Sequence, residues 1–208
     1  AIAKWIDNTP LDRIIELCEE IYNKETERFD IDKFRKGFPN YPIPNEDLKD
    51  YPEFCDIKEY ICELVEKITH IPMDEEGELN YHKGIHLCID NSSNTGINDE
   101  NMHVRLAYPS SEKLIELNTS PAFIIVGGST LSRGLTIEGL VSTYFLRATT
   151  AGDSLMQMGR WFGYRQGYEL LPRIWMTDNT FEQFQFLTIL DEELREELKE
   201  FALGNKHP

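Results

Sequence analysis

AFIIVGGSTLSRGLTIEGL, Ala122–Leu140, is the stretch on which the reading of the fold turns. The apolar run Ala122–Val126 is rich in β-branched residues, too short for a helix, and stopped by Gly127-Gly128, so it predicts a buried-type strand running into a turn. Two residues without a β-carbon leave backbone amides open to close approach by a phosphate, and Arg133-Gly134 follows within a turn. Taken alone, the glycine pair is equally a tight strand-to-helix connection.

Outward from this stretch the same alternation continues. Upstream, GIHLCID (84–90) predicts a short strand, NSSNTGINDEN (91–101) a loop, and HVRLAY (103–108) alternates as a strand does. Downstream, VSTYFLR (141–147) predicts a strand, GDSLMQMGRWFG (152–163) a short helix capped by Asp153, RIWMT (173–177) a strand, and residues 180–203 a long helix. Strands separated by helical stretches imply crossover connections and a parallel sheet, hence an α/β domain.

The N-terminal third is expected to be helical and peripheral. Thr9 as N-cap and Pro10 at the first helical position open an amphipathic pattern through Leu11, Ile14, Ile15, Cys18 and Ile21. Residues 38–54 hold four prolines and predict an irregular connection. Asp56, with Glu59 at the capping-box position, opens a second helix ending near His70, and MDEEGELN (73–80) is a solvated acidic turn. The expected organisation is a helical extension over 1–80 and a core lobe over 81–208.

At 208 residues, 40 % hydrophobic and 28 % charged, the chain has the composition of a globular protein, and no apolar run approaches the roughly 20 residues of a membrane span. The first residues carry no basic flank and apolar core of a secretory signal, and the absence of an initiator Met suggests a piece of something longer. Cys18, Cys55, Cys62 and Cys88 form no CxxC pair and are read as ordinary buried thiols of a cytoplasmic protein.

A net charge of −16 argues against a free-standing, sequence-indifferent nucleic-acid binder. The charge is unevenly spread: residues 121–176 carry Arg133, Arg147, Arg160, Arg165 and Arg173 against Glu138, Asp153 and Glu169, and no Lys. Arginine offers a planar fork that grips phosphate or carboxylate bidentately, so this local surplus points to an anion. Ion pairing with nearby carboxylates is the plainer reading.

The order of these segments resembles the last two signature motifs of superfamily-two helicases and translocases. SRGLTIEGL matches a strand leading into Arg-Gly-hydrophobic-Asp, and QMGRWFGYR matches a helix carrying Gln, Gly-Arg and a further Arg. More closely, IIVGGSTLSRGLTIEGL followed by LMQMGRWFGYRQGYELLPRIW is similar to the Z-one domain, often labelled an endonuclease domain and found with superfamily-two helicase regions in restriction or defence systems. The likeness is dense over 121–176, extends to IDNSSNTG at 89–96, and has no motif match before residue 80.

That resemblance implies the second RecA-like lobe of a two-lobed motor, with ATP and Mg²⁺ held by a first, phosphate-loop lobe elsewhere and nucleic acid, DNA above all, as partner. Arg160 and Arg165 would act as arginine fingers, Gln157 would line the cleft beside Gly159, and Gly127, Gly128, Ser129, Arg133 and Gly134 would face phosphate or ribose. Thr136 stands where the family usually has Asp, and the Gln-to-Arg and Arg-to-Arg spacings differ from the family's. Trp161, Phe162, Tyr164 and Tyr168 could stack on a base or serve as packing. The sequence contains no GxxxxGK[ST] and no Asp-Glu pair directly after an apolar strand, so no cofactor is expected on this chain alone.

A nuclease reading would draw on Glu46, Asp47 and Lys49, which sit in a proline-broken loop. His82 and His86, placed on a strand, would lie roughly 13 Å apart and could not share an ion. Ser129 and Ser132 have no His or Asp close in sequence to activate them.

Overall fold

The computed structural model describes residues 2–91, 93, 95–98, 100–128, 137–146 and 166–203. Contacts divide the chain into two compact units, Ala1–Gly134 and Leu135–Pro208.

The first unit begins with helices α1 (Ile2–Asp7), α2 (Leu11–Arg28), α3 (Ile31–Gly37) and α4 (Phe54–Glu66). α2 opens after Pro10 without a side-chain cap, because the Thr9 hydroxyl donates backward to the Trp5 carbonyl at 2.6 Å and closes α1 instead. α2 packs on α4, where Tyr22 meets Phe54 at 5.7 Å between ring centroids, and Ile14 and Ile15 of α2 are buried. Each such apolar side chain taken from water is worth about 1.5–3 kcal/mol. Burial of Phe54 also explains why α4 starts there, leaving Asp56 within its first turn rather than at its cap.

The proline-rich connection is irregular as expected, apart from one 3-10 turn at Asn45–Asp47. Arg35 holds it in place, donating from Nε to Asn45 Oδ1 at 2.7 Å and from a terminal nitrogen to the Tyr41 carbonyl at 2.9 Å. Phe34 sits beneath it, edge-on to Tyr41 at 5.0 Å.

α4 ends at Glu66, short of His70, because Ile68–Thr69 leaves the helix to become β1. β1, β2 (Ile85–Asp90) and β3 (Ala122–Gly127) form a sheet in the order β1-β2-β3, with both pairings parallel. Between β1 and β2 the acidic turn is tight and built on Asp74, whose carboxylate accepts from the amides of Glu76 and Glu78 while Gly77 takes φ +86°. The β2–β3 connection carries α5 (Ser111–Leu117), which Ser110 caps and Asn118 ends with φ 50°.

Two further expectations change. HVRLAY is not a strand: His103 makes isolated antiparallel bridges to Ile71 and Ile97, and Val104 bonds to Gly96 and Ile89. Of the four cysteines only Cys88 is buried, where desolvation pushes its thiol up to about 12; Cys55 is exposed and Cys18 and Cys62 lie between.

In the second unit β4 (Ser142–Phe145) pairs in parallel with β5 (Arg173–Met176), and α6 (Asp178–Ala202) follows at once. Thr177 caps that helix by accepting from the Thr180 amide at 3.3 Å. Phe145 is buried against Met176, Phe184 and Leu187. The predicted helix at 152–163 lies outside the described residues. The protein is therefore mixed α/β with small parallel sheets, and among the described residues no helix is long and apolar enough to cross a membrane.

Candidate functional site

A parallel sheet gathers its strand carboxyl ends along one edge, where connections leave room for a ligand. In the first unit that edge is set by register: β2 and β3 run side by side from Ile85 opposite Ala122 to Asp90 opposite Gly127. The apolar run of β3 places Gly127 and Gly128 at its end, and the strand opens outward there, with Val126 64 % exposed. A β-carbon built on Gly128 meets no described atom within 4 Å, and its φ is not in the left-handed region. Neither backbone conformation nor packing among the described residues demands glycine at that position.

On the other side of Asp90 the short β1 has already ended, and residues 103–105 take its place. His70 bonds through Nδ1 to the Leu87 carbonyl at 2.7 Å, Ile71 bridges His103, and the Ile89 amide donates to the Val104 carbonyl at 2.7 Å. The edge thus reads Arg105, Asp90, Gly127 in lateral order. Arg105 comes within 3.8 Å of an Asp90 carboxylate oxygen, with side-chain exposures of 45 % and 16 % respectively.

At the opposite, amino-terminal end of β2 lies a histidine pair. His82 and His86 do not lie a strand's length apart: their rings stack at 4.0 Å and 22°, because the chain bends at Lys83-Gly84 before β2 begins. His86 Nδ1 donates to the Ala122 carbonyl at 3.3 Å, which fixes the tautomer and leaves Nε2 to accept from the His82 amide at 3.2 Å. His82 Nδ1 accepts from the Gly84 amide at 3.1 Å, so its proton sits on Nε2, a buried atom with no hydrogen-bond partner. Every imidazole lone pair is occupied, and neither ring has one to offer a metal. Burial depresses both pKa values, that of His82 to about 4 with help from the His86 and Lys67 charges.

The structure places Gly127 and Gly128 at the carboxyl edge, as their sequence context predicts. Ser129, Arg133, Gly134, Gln157, Gly159, Arg160 and Arg165 lie outside the described residues, as do Ser132, Trp161, Phe162 and Tyr164. Arg173 is described, and its guanidinium turns back to the Leu170 carbonyl at 2.7 Å and the Pro172 carbonyl at 3.1 Å, so it braces the entry to β5. Glu46 and Asp47 are exposed on the 3-10 turn with no strand to align them, and among the described residues no group of three His, Cys, Asp or Glu side chains could hold a metal ion. Sequence reasoning missed Asp90 and Arg105. The available signals were the acidic residue closing the apolar run GIHLCID and the cation inside HVRLAY.

These features define an α/β protein with small parallel sheets, the carboxyl side of one of them exposed at Val126–Gly128. The chain belongs to the Z1 domain family, the Z-one family of the resemblance, whose model matches residues 3–208. No curated protein and no solved structure matches it.

Proposed function

We propose that this chain is the second RecA-like lobe of a superfamily-two helicase-like, nucleic-acid-dependent ATPase belonging to a DNA restriction or defence system. The observation that carries the reading is the parallel register ending at Asp90 and Gly127, which delivers Gly127-Gly128 to the carboxyl edge of a sheet. Membership of the Z1 family supports it over the whole chain.

In this reading ATP and Mg²⁺ are held by a phosphate-loop lobe, which this sequence does not contain. The open space at Gly128 suits the approach of a phosphate group to the backbone. In the same reading Arg160 and Arg165 supply positive charge where negative charge develops on the transferred phosphoryl group, Gln157 and Gly159 belong to the cleft, and Ser129, Arg133 and Gly134 to the groups that meet phosphate or ribose.

The test uses a longer protein in which this chain is joined to a phosphate-loop lobe. Arg160→Ala is expected to lower DNA-stimulated ATP hydrolysis by about 10³-fold or more, the scale of an arginine finger, while circular dichroism and nucleotide affinity change little. Arg165→Ala, measured alongside, separates the two candidates. An unchanged turnover rate in both variants would refute the motor reading.

A further inference from the structure

We propose that Arg105 is a phosphate-binding residue of the carboxyl edge, held in position by Asp90 on the same edge as Gly127-Gly128; the choice of phosphate as the anion rests on the motor reading above. The argument starts from what the guanidinium does within the chain. Among the described residues its one ion pair is the 3.8 Å approach to Asp90, too long for a hydrogen bond, and it donates to none of them. Five donors in a fixed plane are left with a neighbouring carboxylate that orients them without consuming them.

The rest of the side chain is supported. A β-carbon on Gly96, whose φ is +97°, would lie 3.8 Å from its Cδ, so the 95–98 loop passes near the arginine stem. The Gly96 carbonyl accepts from the Val104 amide at 2.8 Å, tying that loop to the strand-like segment that carries Arg105. The stem thus runs beside a loop tied to its own segment, and the side chain is almost half exposed at the edge where β2 and β3 end. In a chain of net charge −16, a cation that donates to no described residue and stands on the same edge as an exposed glycine pair is out of keeping with mere solvation.

A phosphate bound here could be that of a nucleic-acid backbone or of a nucleotide, and two probes distinguish them. Fluorescein-labelled dT12 is titrated with the 208-residue chain at low salt and followed by anisotropy, and ATP without divalent ions is titrated by calorimetry. Arg105→Gln is expected to weaken whichever probe binds by about 10-fold or more, the value of a charged hydrogen bond, with Arg105→Lys intermediate because it keeps the charge and loses the fork. Binding of dT12 alone identifies backbone phosphate, and binding of ATP alone identifies a nucleotide. Two results overturn the proposal: no binding of either probe by the folded wild-type chain, or equal binding by wild type and Arg105→Gln. Either can occur while Arg160→Ala still abolishes ATP turnover, so failure here is separable from failure of the motor reading.

Discussion

A methyl group on Gly84 would sit 2.1 Å from the Lys67 carbonyl oxygen, which no side-chain rotation can relieve. That oxygen accepts from the Ile85 amide at 2.8 Å, and the bond joins the end of α4 and start of β1 to the start of β2. Gly84→Ala is therefore expected to cost on the order of 3 kcal/mol or more, read as a fall in the urea midpoint. A change below about 0.5 kcal/mol, the range of ordinary surface substitutions, would mean that the backbone approach is not as close as described. The same bend lets His82 and His86 stack, which the sequence could not reveal. Spacing in sequence converts to distance only once the local backbone is known, and a strand was assumed through Lys83-Gly84 where there is a turn. The glycine pair at 127–128 was legible because a glycine turn after an apolar run has few alternatives. Arg105 was not, because its role depends on residues 103–105 replacing β1 beside β2.

At the scale of elements, β2, β3, β5 and α6 could be read because each has a clear apolar run or a long amphipathic period. α3 and α5 could not. At seven residues each they bury too few side chains to show a period, although their caps are in the sequence, Asp30 accepting from the Lys33 amide and Ser110 from that of Lys113. The β4–β5 pair is short and depends on α6 for cover, through Phe145 edge-on to Phe184 at 5.9 Å. Phe145→Ala is expected to destabilise the second unit by about 3–5 kcal/mol, followed in the near-ultraviolet dichroism of Trp175, whose ring stacks on Tyr144 at 5.9 Å. Tyr144→Ala, at a position 72 % exposed, serves as the contrast and should cost far less. Equal losses in the two variants would contradict the packing assigned to Phe145.

For the whole molecule, acidification has two opposed effects. With a net charge of −16 and an isoelectric point near 4.7, lowering the pH from neutrality relieves self-repulsion and favours the compact state. The histidine pair works the other way. In the unfolded chain each imidazole takes up its proton near pH 6.5, whereas folded His82 does so only near 4, so its contribution is complete above 6.5 and is lost as the pH falls toward 4. His82→Gln should accordingly lose less stability than wild type between pH 7.5 and 5, measured by urea unfolding at each pH. A constant gap between the two proteins across that range would rule out the burial account. Parallel pairing carries one more consequence, for biosynthesis. Ile85, Leu87 and Ile89 emerge from the ribosome long before Ala122–Gly127, their only described β3 partners, so the growing polypeptide must keep an unzipped apolar ribbon from sticking to its neighbours until translation has supplied its mate.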